Sequence, residues 1–102
     1  MKCKQKENKR IYFNDVLADI MINLSDILIA KNIDYGDSYD KRIEEYGHVA
    51  LLIRLEDKLE RLKTLYKNGA HEVNETIDDT LKDLAGYCIL ELVRKNRFIQ
   101  TG

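Results

Sequence analysis

The stretch Glu75-Thr-Ile-Asp-Asp-Thr-Leu-Lys-Asp-Leu-Ala-Gly-Tyr87 decides the fold prediction for this chain. As a helix, it places the carboxylates of Glu75, Asp79 and Asp83 four residues apart, so they share one face. The side chains expected to pack lie on the opposite face: Ile77, Leu81, Leu84 and Cys88. Neighbouring acids at this spacing repel one another. A divalent cation, basic side chains or water could each offset the repulsion, and the spacing alone leaves the three open.

The composition is that of one small folded domain, which we take as residues 1–102. Of the 102 residues, 44% are hydrophobic and 34% are charged, and the absence of proline favours uninterrupted helices. The 17 Lys and Arg nearly balance the 18 Asp and Glu, so the net charge predicts no direct nucleic-acid binding. No apolar run approaches the ~20 residues of a membrane span, and no signal-type segment follows the basic N-terminus. We expect a cytoplasmic protein with no membrane contact and no disulfide.

Hydrophobic periodicity predicts an all-α protein, a small helical bundle of three long helices and one short helix. The long helices are expected over residues 14–30, 48–67 and 75–95, and the short one over residues 39–46. Residues 1–12 are predicted to be a basic tail, residues 31–38 a turn, and residues 98–102 a frayed end. Ser38 is expected to cap the short helix and Gly47 to end it. The loop before the last helix is short, so the second and third long helices should pair antiparallel.

More apolar surface is present than one small bundle needs. The core of the second long helix is expected to comprise Leu51, Leu52, Leu55, Leu59, Leu62 and Tyr66. The first helix carries a broad apolar stripe, and Ala18, Ile22 and Ile29 add a second stripe on another side. Residues 84–93 are apolar almost all round. We therefore predict a homo-oligomer.

Basic side chains follow one flank of the second long helix. Arg54, Lys58 and Arg61 lie at helical spacing, with Asp57 beside them. Antiparallel pairing could bring this flank opposite the acids of the last helix, where Mg²⁺ would take carboxylate oxygens and the basic groups would hold phosphate. The alternative is a solvated acidic face with ordinary salt-bridge partners. The tyrosines could stack a base or simply pack, and the isolated His48 predicts no zinc site.

Three blocks of sequence together resemble a known family. They are Lys31-Asn-Ile-Asp-Tyr-Gly-Asp-Ser38, Ile53-Arg-Leu-Glu-Asp-Lys-Leu-Glu-Arg-Leu62 and Asn74-Glu-Thr-Ile-Asp-Asp-Thr-Leu-Lys-Asp-Leu-Ala-Gly-Tyr87. In order and spacing they resemble the nucleotide modification associated domain family (type 1), small proteins common in phages and prophages. That family is similar in architecture to the all-α NTP pyrophosphatases of the MazG-like group. Those enzymes hold Mg²⁺ with carboxylates from two adjacent helices and hydrolyse nucleoside triphosphates to monophosphate and pyrophosphate.

The resemblance implies roles for particular residues. The metal-binding and catalytic candidates are Asp57, Glu75 and Asp79, with Asp78 as an alternative partner of Glu75. The nucleotide- and phosphate-binding candidates are Lys31, Asn32, Asp34, Tyr35, Arg54, Lys58, Arg61, Asp83 and Tyr87. The enzyme group carries a Glu-x-x-Glu pair on its first ligand helix, for which this chain offers Asp57-x-x-Glu60.

Three functions follow as expectations. The first is a nucleotide-binding protein that hydrolyses a (deoxy)nucleoside triphosphate with Mg²⁺. The second is a non-catalytic protein that sequesters a nucleotide or a signal. The third is a phage-encoded protein-interaction module that binds no nucleotide.

Overall fold

The structure is a computed structural model that describes residues 2–35, 37–68 and 75–101, with side chains over residues 12–35, 37–68 and 77–97. Four helices make up nearly all of these residues, and no strand occurs among them. The helices are α1 (Lys2–Tyr35), α2 (Ser38–Tyr46), α3 (Val49–Asn68) and α4 (Glu75–Thr101). The all-α prediction is therefore confirmed. None of these helices combines the length and the apolar character needed to cross a membrane.

The chain divides into two compact units, residues 1–35 and residues 36–102. The first unit consists of α1, which begins before and ends after the predicted helix 14–30, so both predicted bounds are wrong. The predicted turn at residues 31–38 is wrong over Lys31–Tyr35, because these residues continue the helix. Asn and Asp disfavour a helix interior by less than ~1 kcal/mol each, which is too little to end a long helix.

Much of the apolar surface of α1 is exposed. The exposed large side chains are Tyr12, Phe13, Leu17, Ile20, Met21, Ile22, Ile29, Ile33 and Tyr35. Both predicted stripes of this helix contribute to that set. The exposure is what a subunit interface would leave on a single chain, and the oligomer stays a prediction.

The second unit begins with α2, whose two ends are set by backbone conformation. Asp37 precedes the helix with φ 59° and ψ 30°, in the left-handed region, and makes no side-chain capping bond. Ser38 is already the first helical residue, so its predicted role as the cap is wrong. Gly47 ends the helix as predicted, with φ 75° and its N–H donating to the Ile43 carbonyl at 2.7 Å. A glycine adopts this conformation without steric cost.

Helices α3 and α4 pack together, and α2 packs against α3. Side-chain contacts between α3 and α4 occur in opposite chain order, because Arg54 meets Tyr87 while Lys58 meets Asp83. The predicted antiparallel pairing is therefore present. The last helix continues to Thr101, so the predicted frayed end at residues 98–102 is wrong over its helical part.

The faces that α3 and α4 turn toward each other differ from the predicted ones. On α4, Leu81 and Cys88 are exposed, whereas Thr80 is only 2% exposed. On α3, the predicted core residues Leu52, Leu59 and Tyr66 are exposed, and Leu62 is buried as predicted.

Candidate functional site

Two polar contacts join α3 to α4 on successive turns. The Lys58 Nζ lies 3.1 Å from the Asp83 Oδ2. One turn away, the Arg54 Nη1 donates a hydrogen bond to the Tyr87 hydroxyl at 3.5 Å, and the guanidinium carbon lies 5.8 Å from the centre of the ring. The second distance is within the range of a cation–π contact. All four residues were predicted to contact a nucleotide or its phosphates, and the structure brings them together.

The Lys58–Asp83 ion pair is half-exposed, with side-chain exposures of 27% and 35%. Pairs that remain in contact with water contribute between zero and about 1 kcal/mol, because solvent screens the attraction and both side chains lose freedom. Separating Lys58 from Asp83 therefore costs little free energy. Phosphate oxygens also accept charge-assisted hydrogen bonds from Lys and Arg.

Arg61 completes a basic edge along α3. Arg54, Lys58 and Arg61 are four and then three residues apart, which places them on one side of the helix. Arg54 and Arg61 are exposed, so their guanidinium groups lie within reach of a ligand in solvent. Guanidinium groups bind phosphate in a bidentate manner, and an ammonium group binds it as a point charge. We call Arg54, Lys58, Arg61, Asp83 and Tyr87 the α3–α4 cluster.

The three predicted metal ligands occupy different levels of the helix pair. Asp57 and Asp79 are exposed, and Glu75 is the first residue of α4, its side chain lying outside the described residues. Glu75 and Asp79 are one turn apart on α4. The antiparallel register places Asp57 at the level of Leu84, about 13 Å along the axis from Glu75 at 1.5 Å per residue. Among the described side chains, no three acidic, histidine or cysteine residues gather in a form that could hold a metal. The metal assignment of the three carboxylates stays a prediction.

The remaining predicted contact residues belong to the first unit. Lys31, Asn32, Asp34 and Tyr35 occupy the last turns of α1, and their side chains are exposed. Their approach to a base or sugar stays a prediction. Asn74, which begins the third sequence block of the family resemblance, lies outside the described residues.

A second polar cluster, which the sequence analysis missed, surrounds Glu91 on α4. Arg94 donates two hydrogen bonds to the Glu91 carboxylate, from Nε at 2.9 Å and from Nη2 at 2.7 Å. The Tyr39 hydroxyl of α2 donates a third, also at 2.9 Å. His48, just before α3, places its Nε2 3.6 Å from the Glu91 Oε2 and 3.4 Å from the Arg94 Nη2. One carboxylate thus connects α2, the start of α3 and α4.

The Glu91 cluster is held more tightly than the α3–α4 cluster. The side chains of Glu91 and Arg94 are each 15% exposed. Hydrogen bonds from Arg94, and next from Tyr39, lower the pKa of Glu91 from 4.5 to about 2, against the opposing effect of burial. Burial and the bond to the carboxylate raise the pKa of Tyr39, and the same carboxylate raises the pKa of Arg94. Glu91 is therefore ionised, and Tyr39 protonated, throughout the neutral range.

A further residue of α4, Arg97, forms ion pairs with two carboxylates at the start of α2. The Arg97 Nη1 lies 3.5 Å from the Asp37 Oδ1 and 3.4 Å from the Asp40 Oδ2.

One signal in the sequence pointed toward the Glu91 cluster, namely Glu91 and Arg94 three residues apart at the end of an apolar stretch. A charged residue on a mostly buried helix needs a partner. Tyr39 and His48 gave no comparable signal, because each pairs across a long sequence separation.

Comparison with protein families gives one finding that covers most of this region. Residues 31–94 match the family model described as nucleotide modification associated domain 1. The matched segment includes both polar clusters and more than half of the chain. Comparisons with curated proteins and with solved structures give no significant match. The chain belongs to the nucleotide modification associated domain 1 family.

Proposed function

We propose that this protein binds a nucleotide through its phosphate groups at the α3–α4 cluster. The observation that carries the proposal is the half-exposed Lys58–Asp83 pair beside the Arg54–Tyr87 contact. Lys58 is a cation whose carboxylate partner is weakly held, and Arg54 is a second cation one turn away. The family description, which associates the domain with nucleotide modification, supports a nucleotide as the ligand.

Each residue of the cluster has a distinct task in this proposal. Lys58 exchanges the Asp83 carboxylate for a phosphate oxygen. Arg54 and Arg61 hold the neighbouring phosphate oxygens from either side along α3. The Tyr87 ring supports the Arg54 guanidinium through the 5.8 Å contact and limits its freedom before the ligand arrives. A pre-positioned guanidinium loses less conformational entropy on binding.

Hydrolysis of the bound nucleotide, a (deoxy)nucleoside triphosphate, to monophosphate and pyrophosphate is the second step that we propose. Carboxylate oxygens suit Mg²⁺, which needs only one or two of them when substrate phosphates supply the rest. By register, Glu75 and Asp79 form the pair that would hold the ion, and Asp57 lies nearer Lys58 and the phosphates. Bound Mg²⁺ would neutralise phosphate charge and orient a water molecule. A cytoplasmic location and a phage or prophage origin belong to the same proposal.

A protein that binds a nucleotide without hydrolysing it is the alternative. It is favoured by the exposed guanidinium groups of Arg54 and Arg61, which bind phosphate without a metal ion. Such a protein would use the basic edge of α3 and need no ion. A module that binds another protein through the same charged face is the third candidate.

Thermal unfolding with ligands tests the proposal. The protein is heated with a panel of ribo- and deoxynucleoside triphosphates and cyclic nucleotides, each with Mg²⁺ and with EDTA. A bound ligand raises the unfolding temperature because it stabilises only the folded state. Lys58→Ala should reduce the shift strongly. Lys63→Ala is the matched control, since Lys63 is another α3 lysine paired with a carboxylate, Glu60, at 3.3 Å.

The outcomes separate the candidates. A shift that requires Mg²⁺ supports hydrolysis and leads to an assay of pyrophosphate release. A shift that survives EDTA and is lost in Lys58→Ala supports binding without hydrolysis. If no nucleotide raises the unfolding temperature, nucleotide binding is wrong and the protein-interaction candidate takes its place.

A further inference from the structure

We infer that the nucleoside end of the ligand lies against His48, at the Glu91 cluster, while the phosphates lie at Lys58. The inference rests on the proposed nucleotide binding and adds the direction in which the nucleotide lies and a residue that determines specificity. It follows from three features of the second unit. The two clusters lie along the same side of α4, Arg94 is bound more tightly by its carboxylate than Lys58 is by its own, and the His48 ring is exposed.

The two clusters are the ends of one polar seam between α3 and α4. Asp83, Tyr87 and Glu91 follow one another at intervals of four residues, so they line the same side of α4. Their partners before and along α3 occur in the reverse order: Lys58, Arg54 and His48. From Asp83 to Glu91 the seam runs about 12 Å at 1.5 Å per residue. A ligand with a charged end and an aromatic end can span such a seam.

The cations at the two ends differ in what they can still bind. Arg94 directs Nε and Nη2 to Glu91 at 2.9 and 2.7 Å, a bidentate pair with both side chains mostly buried. A phosphate placed there would meet the Glu91 carboxylate and would have to break these bonds. Lys58 is held by one carboxylate in a half-exposed pair. The phosphates therefore lie at the Lys58 end, and the uncharged part of the ligand extends toward His48.

The chemistry of His48 suits a nucleobase. Its side chain is 72% exposed, although its Nε2 lies 3.4 Å from the Arg94 Nη2. A guanidinium only donates hydrogen bonds, so a neutral His48 accepts at Nε2 and carries its proton on Nδ1. A protonated ring also carries a proton on Nδ1. In either form the exposed ring offers a flat face for stacking and an N–H donor for a carbonyl oxygen or a ring nitrogen of the base.

Two probes separate the ends of the ligand. Inorganic triphosphate carries the phosphates alone, and the nucleoside triphosphate that gives the largest shift with wild-type protein carries phosphates and base. Calorimetric titration measures both affinities for wild type, His48→Ala and Lys58→Ala. Tyr46→Ala is the control, since Tyr46 is an exposed aromatic residue two positions from His48 with no described contact to the seam.

We expect His48→Ala to weaken nucleoside triphosphate binding about 10-fold, because the substitution removes one stacking contact with the base. Its affinity for inorganic triphosphate should be that of wild type. Lys58→Ala should weaken both probes, and Tyr46→Ala neither. Because His48 is exposed, we expect His48→Ala to fold normally, so weaker binding would not result from unfolding. The unfolding temperature of the variant without ligand, which should equal that of wild type, checks this.

Three results would overturn the inference. If His48→Ala binds the nucleoside triphosphate as wild type does, the base does not lie against His48, and the proposed function is unaffected. Equal loss of both probes in His48→Ala places phosphate rather than base there. If wild-type protein binds neither probe, the proposed function fails and the inference fails with it.

Discussion

Replacing Glu91 by Gln should destabilise the second unit by about 2 kcal/mol. The carboxylate accepts two hydrogen bonds from Arg94 and one from Tyr39. Gln keeps the size of the side chain but removes the charge and replaces one acceptor oxygen with a donor facing other donors. Hydrogen bonds to charged groups contribute ~1.5–3 kcal/mol each, and losing one partner leaves the other buried without compensation. Solvent around the exposed His48 ring weakens the electrostatic interactions of the cluster, so we expect a loss of stability in the lower part of this range of energies.

The dependence on pH has a definite sign. The pKa of Glu91 falls from 4.5 to about 2 on folding, first because Arg94 donates to its carboxylate. A lowered folded pKa stabilises the protein above the unfolded value, and this stabilisation is lost as the pH falls through the folded value. This shift in pKa limits the contribution of the ionised Glu91 carboxylate to the free energy of unfolding to about 3 kcal/mol at neutral pH. The difference between wild type and Glu91→Gln should be constant from about pH 6 to 8, and should shrink below about pH 4.5.

Urea unfolding followed by circular dichroism at several pH values measures this difference. Glu45→Gln is the control, because Glu45 forms an exposed pair with Arg42 at 3.6 Å. Its cost should stay within about 0.5 kcal/mol. Equal stabilities of the two variants at pH 7 would refute the role assigned to Glu91. A difference that persists unchanged at pH 3 would show that the missing charge is not its cause.

Three other predictions concern α4 and the assembly. Asp79→Asn should abolish Mg²⁺-dependent pyrophosphate release and leave stability within about 0.5 kcal/mol, since this carboxylate is exposed; wild-type turnover would remove it from the site. Thr80→Leu should cost about 1–3 kcal/mol in urea unfolding, because Thr80 is 2% exposed and a larger side chain at a buried position displaces its neighbours, whereas Leu81→Thr at an exposed position should cost much less. Light scattering at micromolar concentration should give a mass above the 12.0 kDa of one chain; a monomer would contradict the oligomer.

Periodicity was sufficient to predict the helices, because it depends on sums over many residues, and the short loop before the last helix was sufficient to predict the antiparallel pair. It was not sufficient for their ends. Whether Asn32 and Asp34 lie in a helix or in a turn is decided by fractions of a kcal/mol per residue. Helix α1 ends at Tyr35, and Asp37, which precedes α2, has a positive φ that Asp adopts more readily than most residues other than Gly and Asn. The glycine that ends α2 was predictable, since its left-handed conformation depends on residue type.

The site was predicted where it depends on spacing within one helix and missed where it depends on pairing between helices. Arg54, Lys58 and Arg61 share a face because of their spacing, and antiparallel pairing brought Asp83 to them. The bond from Tyr39 to Glu91 joins residues 52 positions apart. Two single residues so far apart carry no periodic signal, and only the packing of α2 beside α3 brings them together.

The ion pairs Lys58–Asp83 and Glu91–Arg94 differ in strength. Lys58–Asp83 is half-exposed and single, so opening it costs about 1 kcal/mol or less, and a phosphate can repay that cost with its own charge. Glu91–Arg94 is bidentate and mostly buried, and breaking it would leave a charge without a partner at a cost of about 2 kcal/mol. In the proposed function, a ligand therefore exchanges the partner of Lys58 but not that of Arg94. In that proposal Glu91, which also contacts Tyr39 of α2 and His48, keeps its partners while the Lys58–Asp83 pair opens.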